Sequence, residues 1–387
     1  MRPLAQGGVN ARLKYWGQWL VNTVGFDGYR LDFVRGYQED FITDWIIYMP
    51  RKNGNVQRYV VGEYFSSNKA RLKAWVQALA TRGADADVFD FPLKYTLNAM
   101  ANGTSSSFDM RTLNHAGLVR DNTGNNLSGL DVNTFVENHD TGKDHNQWIF
   151  KDWQMAYAYI LFAEGRPTVF YPHFYGVTQQ GDGGFTTTAP ASLRNDITNL
   201  INYRRTFLDG DMVVNSETGN PYPIENTANV YVARRRDNSS EYQKKGGMLV
   251  LNNHETDTKC LWVDNAPAGS GYTNWYGERW LRDLTGRMPD AEIATDGRVQ
   301  VCAPPRSYAV YVPFSVVPSR SARRTARPAG LSASLTPAPS AATTRPRRMI
   351  ASRRTSSFRT AQSSPRAVTS CGRTPTRART TSIRATA

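Results

Sequence analysis

An α/β domain followed by a small antiparallel β-sandwich is the fold this sequence predicts, and three observations carry the expectation. Between residue 8 and about residue 208, helix-like and strand-like segments alternate with short links, the pattern of parallel strands covered by helices. From about 211 to 313 the segments become short and β-rich, separated by Gly, Asn and Asp turns, which reads as a sandwich. Beyond Pro318 the chain is Arg, Ser, Thr, Ala and Pro with Phe358 its one aromatic, too little apolar surface to fold. The expected boundaries are 1–210, 211–314 and a disordered tail over 315–387.

The elements follow in order. VNARLKYWGQWLVNTV has apolar residues at helical spacing and leads into the strand GFDGYRLDF. A helix around EDFITDWIIYM precedes the strand RYVVGEYF, and SNKARLKAWVQALATRG is a helix closed by Gly83. ADVFDFPL reads as a short strand, and residues from about 101 to 130 as a loop-rich stretch. The strand VNTFVENHD, the helix DWQMAYAYILFA, the strand RPTVFYPHF and the helix LRNDITNLINYRRTFL complete five strand–helix units. In the second region NVYVARRR, GGMLVLNNH, KCLWVD, RVQVCAPP and SYAVYVP are the expected strands.

The formal charge of +14 suggests a polyanion partner until its location is read. Residues 319–387 hold fifteen Arg and no Lys, Asp or Glu, so without them the body is nearly neutral. A basic arm for nucleic acid is one reading of the tail; its composition looks more like a GC-rich gene translated out of frame, and no nucleic-acid partner is expected. No run of about 18 apolar residues is present, so no membrane span is expected either. The opening MRPLAQGGVNARLKYW lacks the apolar core of a secretory signal. Cys260, Cys302 and Cys371 have spacings that suit no zinc site. Two buried free thiols are expected at 260 and 302, with pairing the alternative in an exported protein.

Three acids stand at strand ends: Asp32 in YRLDFVRGY, Glu63 in VVGEYF and Asp140 in FVENHDTG. On a strand Arg30 and Asp32 share one face, opposite Tyr29, Leu31 and Phe33. The bland reading is an edge strand with a surface ion pair. Catalytic groups of an α/β barrel, however, sit where strands meet the following loops. Two carboxyls on neighbouring strands suit glycoside cleavage, one ionised to attack the anomeric carbon, the other protonated to serve the leaving oxygen. Arg30 would hold Asp32 ionised, and the negative charge of Asp32 and Asp140 would keep Glu63 protonated.

These three segments resemble signature regions of the alpha-amylase family of glycoside hydrolases, in the family's order. DVFDFPLKY and AYAYILFAEGRPTVFYPHFYG are similar to its sixth strand, seventh helix and eighth strand. The resemblance implies a partial (β/α)8 TIM barrel holding the last five βα units, and retaining endo-hydrolysis of α-1,4-glucosidic bonds in starch or maltooligosaccharides by a monomer. Asp32 would be the nucleophile, Glu63 the general acid/base, and Asp140 the acid that binds sugar hydroxyls. Arg30 would support the nucleophile and His139 would hydrogen-bond the sugar. Arg35 would contact the leaving side, Tyr64 would stack on the next glucose, and the Gly36 carbonyl matches a calcium ligand position. An extracellular location is implied by the family alone.

The departures set further expectations. The first signature, with its Asp and Asn-His, has no match upstream of Asp32, nor has the excursion that supplies most calcium ligands. The chain therefore looks like a family member missing its front, poorly stable and weakly active by itself. A non-catalytic carbohydrate-binding remnant and a transglycosylating member are the alternatives. His145 near the rim is a substrate contact or a plain loop residue. His173 and His254 lack metal-ligand companions, and His115 lies in a loop. Asp90 is expected to orient a loop, and Trp275 and Trp280 to pack within the sandwich.

Overall fold

The computed structural model describes residues 8–144, 146–235, 246–265 and 280–314. His145, Trp275 and the tail from residue 315 lie outside these.

Helix α1 (Val9–Trp19) runs into strand β1 (Gly28–Leu31), helix α2 (Glu39–Tyr48) and strand β2 (Tyr59–Gly62). Helix α3 (Lys69–Thr81), β3 (Asp87–Phe89), α4 (Phe91–Asn102), β4 (Val132–Phe135), α5 (Trp153–Phe162) and β5 (Arg166–Thr168) follow. After β5 come a short α6 (Tyr171–Tyr175), a two-residue hairpin β6 (Gln179–Gln180) and β7 (Thr186–Thr187), and α7 (Leu193–Phe207). Strands β1 to β5 form one parallel sheet in sequence order. Among the described residues β1 and β5 each have a neighbour on one side only, so both edges of this sheet are open.

Local chemistry explains the helices. In α3, Leu72, Trp75, Val76 and Leu79 recur at helical spacing and are all buried, the stripe that packs on the sheet. Asn68 caps it by accepting the Arg71 N–H at 3.1 Å, and Gly83 at φ +85° ends it. Helix α5 is apolar all round, with every residue but Gln154 buried, because it is covered on two sides.

Several strands are shorter than the sequence predicts: RPTVFYPHF is strand only to Thr168 and becomes helix α6 at Tyr171. ADVFDFPL is strand only to Phe89; Asp90 accepts the Leu93 N–H at 3.0 Å and starts α4, and Pro92 in the first turn needs no donor. GFDGYRLDF is strand only to Leu31. Phe33 turns left-handed at φ 46° and is exposed, so it does not share the buried face of Tyr29.

The β-rich region forms a six-stranded sheet, β13-β12-β15-β10-β9-β8, comprising β8 (Met212–Val214), β9 (Val230–Arg235), β10 (Gly247–Asn252), β12 (Trp280–Asp283), β13 (Ala291–Glu292) and β15 (Ser307–Phe314). A second sheet pairs β11 (Lys259–Asp264) with β14 (Arg298–Ala303). Alternate residues of β10 divide between two cores. Met248 and Val250 pack with Leu261, Val263, Val299 and Val301, while Leu249 and Leu251 pack with α5 and α7. GGMLVLNNH shows no polar alternation because both faces of the strand are covered.

The expectation of free thiols is wrong. The register of β11 on β14 sets Cys260 directly across from Cys302, with their Cα atoms 4.0 Å apart, and the two form a disulfide. Cross-strand opposition of two thiols is the geometry that permits the bond.

Candidate active site

The register of β1 on β2 builds the site. Arg30 lies opposite Val61 and Leu31 opposite Gly62, so the next residues, Asp32 and Glu63, emerge side by side at the C-terminal end of the sheet. The Glu63 N–H donates to the Leu31 carbonyl at 2.8 Å and the Val34 N–H donates to the Glu63 carbonyl at 3.1 Å. Gly62 is required beneath them, because a Cβ there would meet the Trp75 ring at 2.3 Å.

Arg30 joins the two acids. Its Nη1 lies 2.6 Å from Oδ1 of Asp32 and its Nη2 2.6 Å from Oε1 of Glu63. The carboxyls sit in unlike surroundings: the side chain of Asp32 is 72% exposed, that of Glu63 6%. Burial pushes the Glu63 carboxyl above its ordinary range; Arg30 opposes the shift, and the hydrogen bond and charge of Asp32 add to it. The expectation that neighbouring negative charge keeps Glu63 protonated is thus reordered, with burial as the larger cause.

A cavity of about 180 Å³ opens over the strand ends, lined by Arg30, Glu63, Phe89, Phe135, His139 and Phe170 among others. Asp32 faces instead a neighbouring apolar cleft that runs past Leu31 and Val34 to Trp16 and Trp45, with Arg30 lining both. Asp140 stands in the turn after β4. Its N–H donates to Asn138 Oδ1 at 3.0 Å, and its Oδ2 lies 3.4 Å from His139 Nε2. The structure therefore brings Asp32 and Glu63 into contact with Arg30 and sets His139 on the cavity that Arg30 and Glu63 line, while Asp32 faces the cleft beside it and the contacts of Asp140 stay within its own turn.

The remaining sequence candidates fall as follows. Arg35 Nη1 donates to the Phe65 carbonyl at 2.9 Å, and its guanidinium lies 5.5 Å from the Phe33 ring centre. Tyr64 is half-buried, 6.4 Å from Trp75 between ring centres. Gly36 closes the turn Val34–Gly36. Among the described residues no three His, Cys, Asp or Glu side chains converge to hold a metal. The lone Gly36 carbonyl does not make a calcium cage. Asp90 orients a loop as expected, accepting the Leu118 N–H at 2.8 Å beside its cap on α4. His115 pairs with Glu217 at 3.0 Å on the surface.

Sequence reasoning missed a buried charged group under the cavity. Glu137 lines it with a fully buried side chain, 2.9 Å from Nε2 of an equally buried His173. Lys94 of α4 is also fully buried; its ammonium donates to the Gln147 carbonyl, and burial pulls its pKa down to about 8 against the charges of Glu137 and Asp144. The available signal was Glu137 itself, an acid directly following the strand segment VNTFV.

No family model matches the chain. It is 31% identical over 314 residues to an alpha-amylase of Geobacillus stearothermophilus, covering 79% of this chain and 50% of that protein. It is 32% identical over 206 residues to an alpha-amylase of Bacillus licheniformis, covering 52% of this chain and 37% of that protein. The chain thus spans half or less of the length of these two relatives. Its fold matches the alpha-amylase of Geobacillus thermoleovorans, solved with acarbose, at a TM-score of 0.55 and 16% identity, covering 79% of this chain and 64% of that one. The Anoxybacillus alpha-amylase matches equally well, at a TM-score of 0.55. These neighbours give the five-stranded parallel sheet its place in a barrel-like α/β fold. Strand-end acids, sheet order and relatives agree: the chain belongs to the alpha-amylase family.

Proposed function

We propose that this chain carries the chemistry for retaining cleavage of α-1,4-glucosidic bonds in starch and maltooligosaccharides. The observation that supports it is the single guanidinium of Arg30 touching both Asp32 and Glu63. Two carboxyls held that close suit a double displacement, which works with oxygens about 5–5.5 Å apart, rather than direct attack by water.

Asp32 attacks the anomeric carbon while protonated Glu63 gives its proton to the departing glycosidic oxygen. The bond to that oxygen breaks and a glycosyl ester forms on Asp32. The Glu63 carboxylate then takes a proton from water, whose oxygen displaces Asp32 with the starting configuration restored. Burial suits Glu63 to the acid role because it favours the protonated form. His139 and Asp140 hold sugar hydroxyls as charge develops, Arg35 and Tyr64 flank the next glucose, and the chain works as a monomer.

We further propose that the five βα units are the later part of an eight-stranded barrel, with residues 211–314 as its C-terminal sandwich. The two open sheet edges support this, since a closed barrel has none. The alternative reading, a carbohydrate-binding remnant without turnover, is favoured by the separation of Asp140 from the Arg30 cluster. Reducing-end release from soluble starch decides between them. Wild-type release that Glu63→Gln abolishes is expected; equal rates from both proteins would overturn the hydrolase reading.

A further inference from the structure

The turn that presents His139 and Asp140 closes on itself. Asn138 Oδ1 accepts the N–H groups of Asp140 at 3.0 Å and Thr141 at 2.8 Å, and the Asn138 N–H donates to Thr141 Oγ1 at 3.0 Å. Such a turn has a fixed shape, but nothing within it fixes where it points relative to the strand ends. Side-chain contacts from outside hold it at each end of the tetrapeptide 138–141, beside the backbone bond from the Asp182 N–H to the Lys143 carbonyl at 2.8 Å. Before it, Glu137 Oε2 lies 2.9 Å from His173 Nε2. After it, the Gly142 carbonyl accepts from Gln179 Nε2 at 3.3 Å.

These two contacts are one unit. His173 Nε2 is 3.1 Å from Gln179 Oε1, and its Nδ1 is 3.0 Å from the Tyr157 hydroxyl, which also accepts the Phe170 N–H at 3.3 Å. Tyr157 is rooted in the fully covered helix α5. Glu137 and His173 have no solvent exposure of their side chains. Burying two polar side chains against each other brings little net stability and removing one partner strands the other, so their presence here points to a task beyond holding the fold. Gly142 fits the same picture, since a Cβ there would meet Gln179 Nε2 at 2.4 Å and the Asn138 carbonyl at 2.8 Å.

We propose that Glu137 and His173 are positioning residues: with Gln179 they clamp both ends of the turn Asn138–Thr141 and so aim His139 and Asp140 at the reacting sugar. The inference rests on the role given to Asp140 under the proposed function. It places no part of the clamp on the substrate and adds a requirement for three side chains that take no part in proton transfer.

The test uses binding, so it needs no turnover. Acarbose carries a protonatable nitrogen in place of a glycosidic oxygen and mimics charge near the reacting carbon; maltotriose does not. Both are titrated calorimetrically against the full chain and its variants, with melting followed in parallel. Glu137→Ala and Gly142→Ala are expected to weaken acarbose about tenfold or more and maltotriose less than about threefold, because a small misplacement of a charge-stabilising group costs that much. Glu137→Gln, which keeps a polar side chain of the same length beside His173 Nε2, is expected to restore most of the difference. Variants that bind acarbose like wild type, or that lose both sugars in step, overturn the clamp. If Glu137→Ala does not fold, Gly142→Ala decides alone. Asp140→Asn separates the two levels: unchanged acarbose affinity there refutes the role of Asp140, whereas a loss there with no effect of the other variants refutes the clamp only.

Discussion

Arg30 holds Glu63 by an ion-pair contact of 2.6 Å between Nη2 and Oε1, although the carboxyl it touches is the one that burial drives toward the protonated form. The guanidinium therefore moderates the acid. Replacing it with the neutral Arg30→Gln removes the interaction that lowers the Glu63 pKa, so that pKa should move further up. The alkaline limb of kcat/KM, where Glu63 loses its proton, is expected at higher pH in the variant, with a lower plateau. A limb that stays in place or moves down in the pH–rate profile would show that Arg30 does not act on Glu63.

Gly62 should tolerate no side chain. Gly62→Ala forces the Trp75 ring away from a Cβ it would meet at 2.3 Å, an overpacking that costs about 1–3 kcal/mol. Because Glu63 is the next residue, starch hydrolysis should fall along with the melting temperature. An unchanged melting temperature would mean that Trp75 shifts freely.

Asp87 should make stability fall as the medium is made less acidic. Burial raises its pKa from 3.8 to about 6, against the pull of Arg166, whose Nε lies 2.8 Å away. A carboxyl whose pKa is higher folded than unfolded contributes stability that is full below the unfolded value and is lost as pH rises through the folded one. Between pH 4 and 6 the wild-type melting temperature is expected to decline more steeply than that of Asp87→Asn. Parallel curves would rule out Asp87 as the source.

The disulfide should matter more than its half-buried position suggests. Cys260 and Cys302 are separated by 42 residues, and tying a loop of that size is worth about 4 kcal/mol in the loop-closure model. The double variant Cys260→Ser/Cys302→Ser should lower the urea midpoint accordingly. Identical midpoints with and without reductant for the wild type would argue that the bond contributes nothing.

Much of this was legible in the residues because it is local. Strands β1 to β5 announce themselves through short apolar runs between helical stripes, and the placement of Asp32 and Glu63 at strand ends needs only the ends of YRLDF and VVGEY. What stayed hidden depends on register between distant segments. Nothing in KCLWVD and RVQVCAPP says that Cys260 and Cys302 face each other. Nor does FYPHFYG say that His173 meets Glu137, because a buried polar pair leaves no periodic trace. The first turn of α4 was misread for a different reason: FDFPL is too short an apolar run to tell strand from helix, and the Asp90 cap with Pro92 decided it.

Helix α5 has a consequence for how the protein comes apart. Its residues share one core with Leu93 and Leu97 of α4 on one side and with Tyr231, Leu249, Leu251 and Val310 of the six-stranded sheet on the other. A cut after the parallel sheet would leave Tyr159 and Phe162 facing water. The two layers should accordingly melt together in a single calorimetric peak, and a catalytic portion trimmed of its β-rich partner should not be obtainable in folded form.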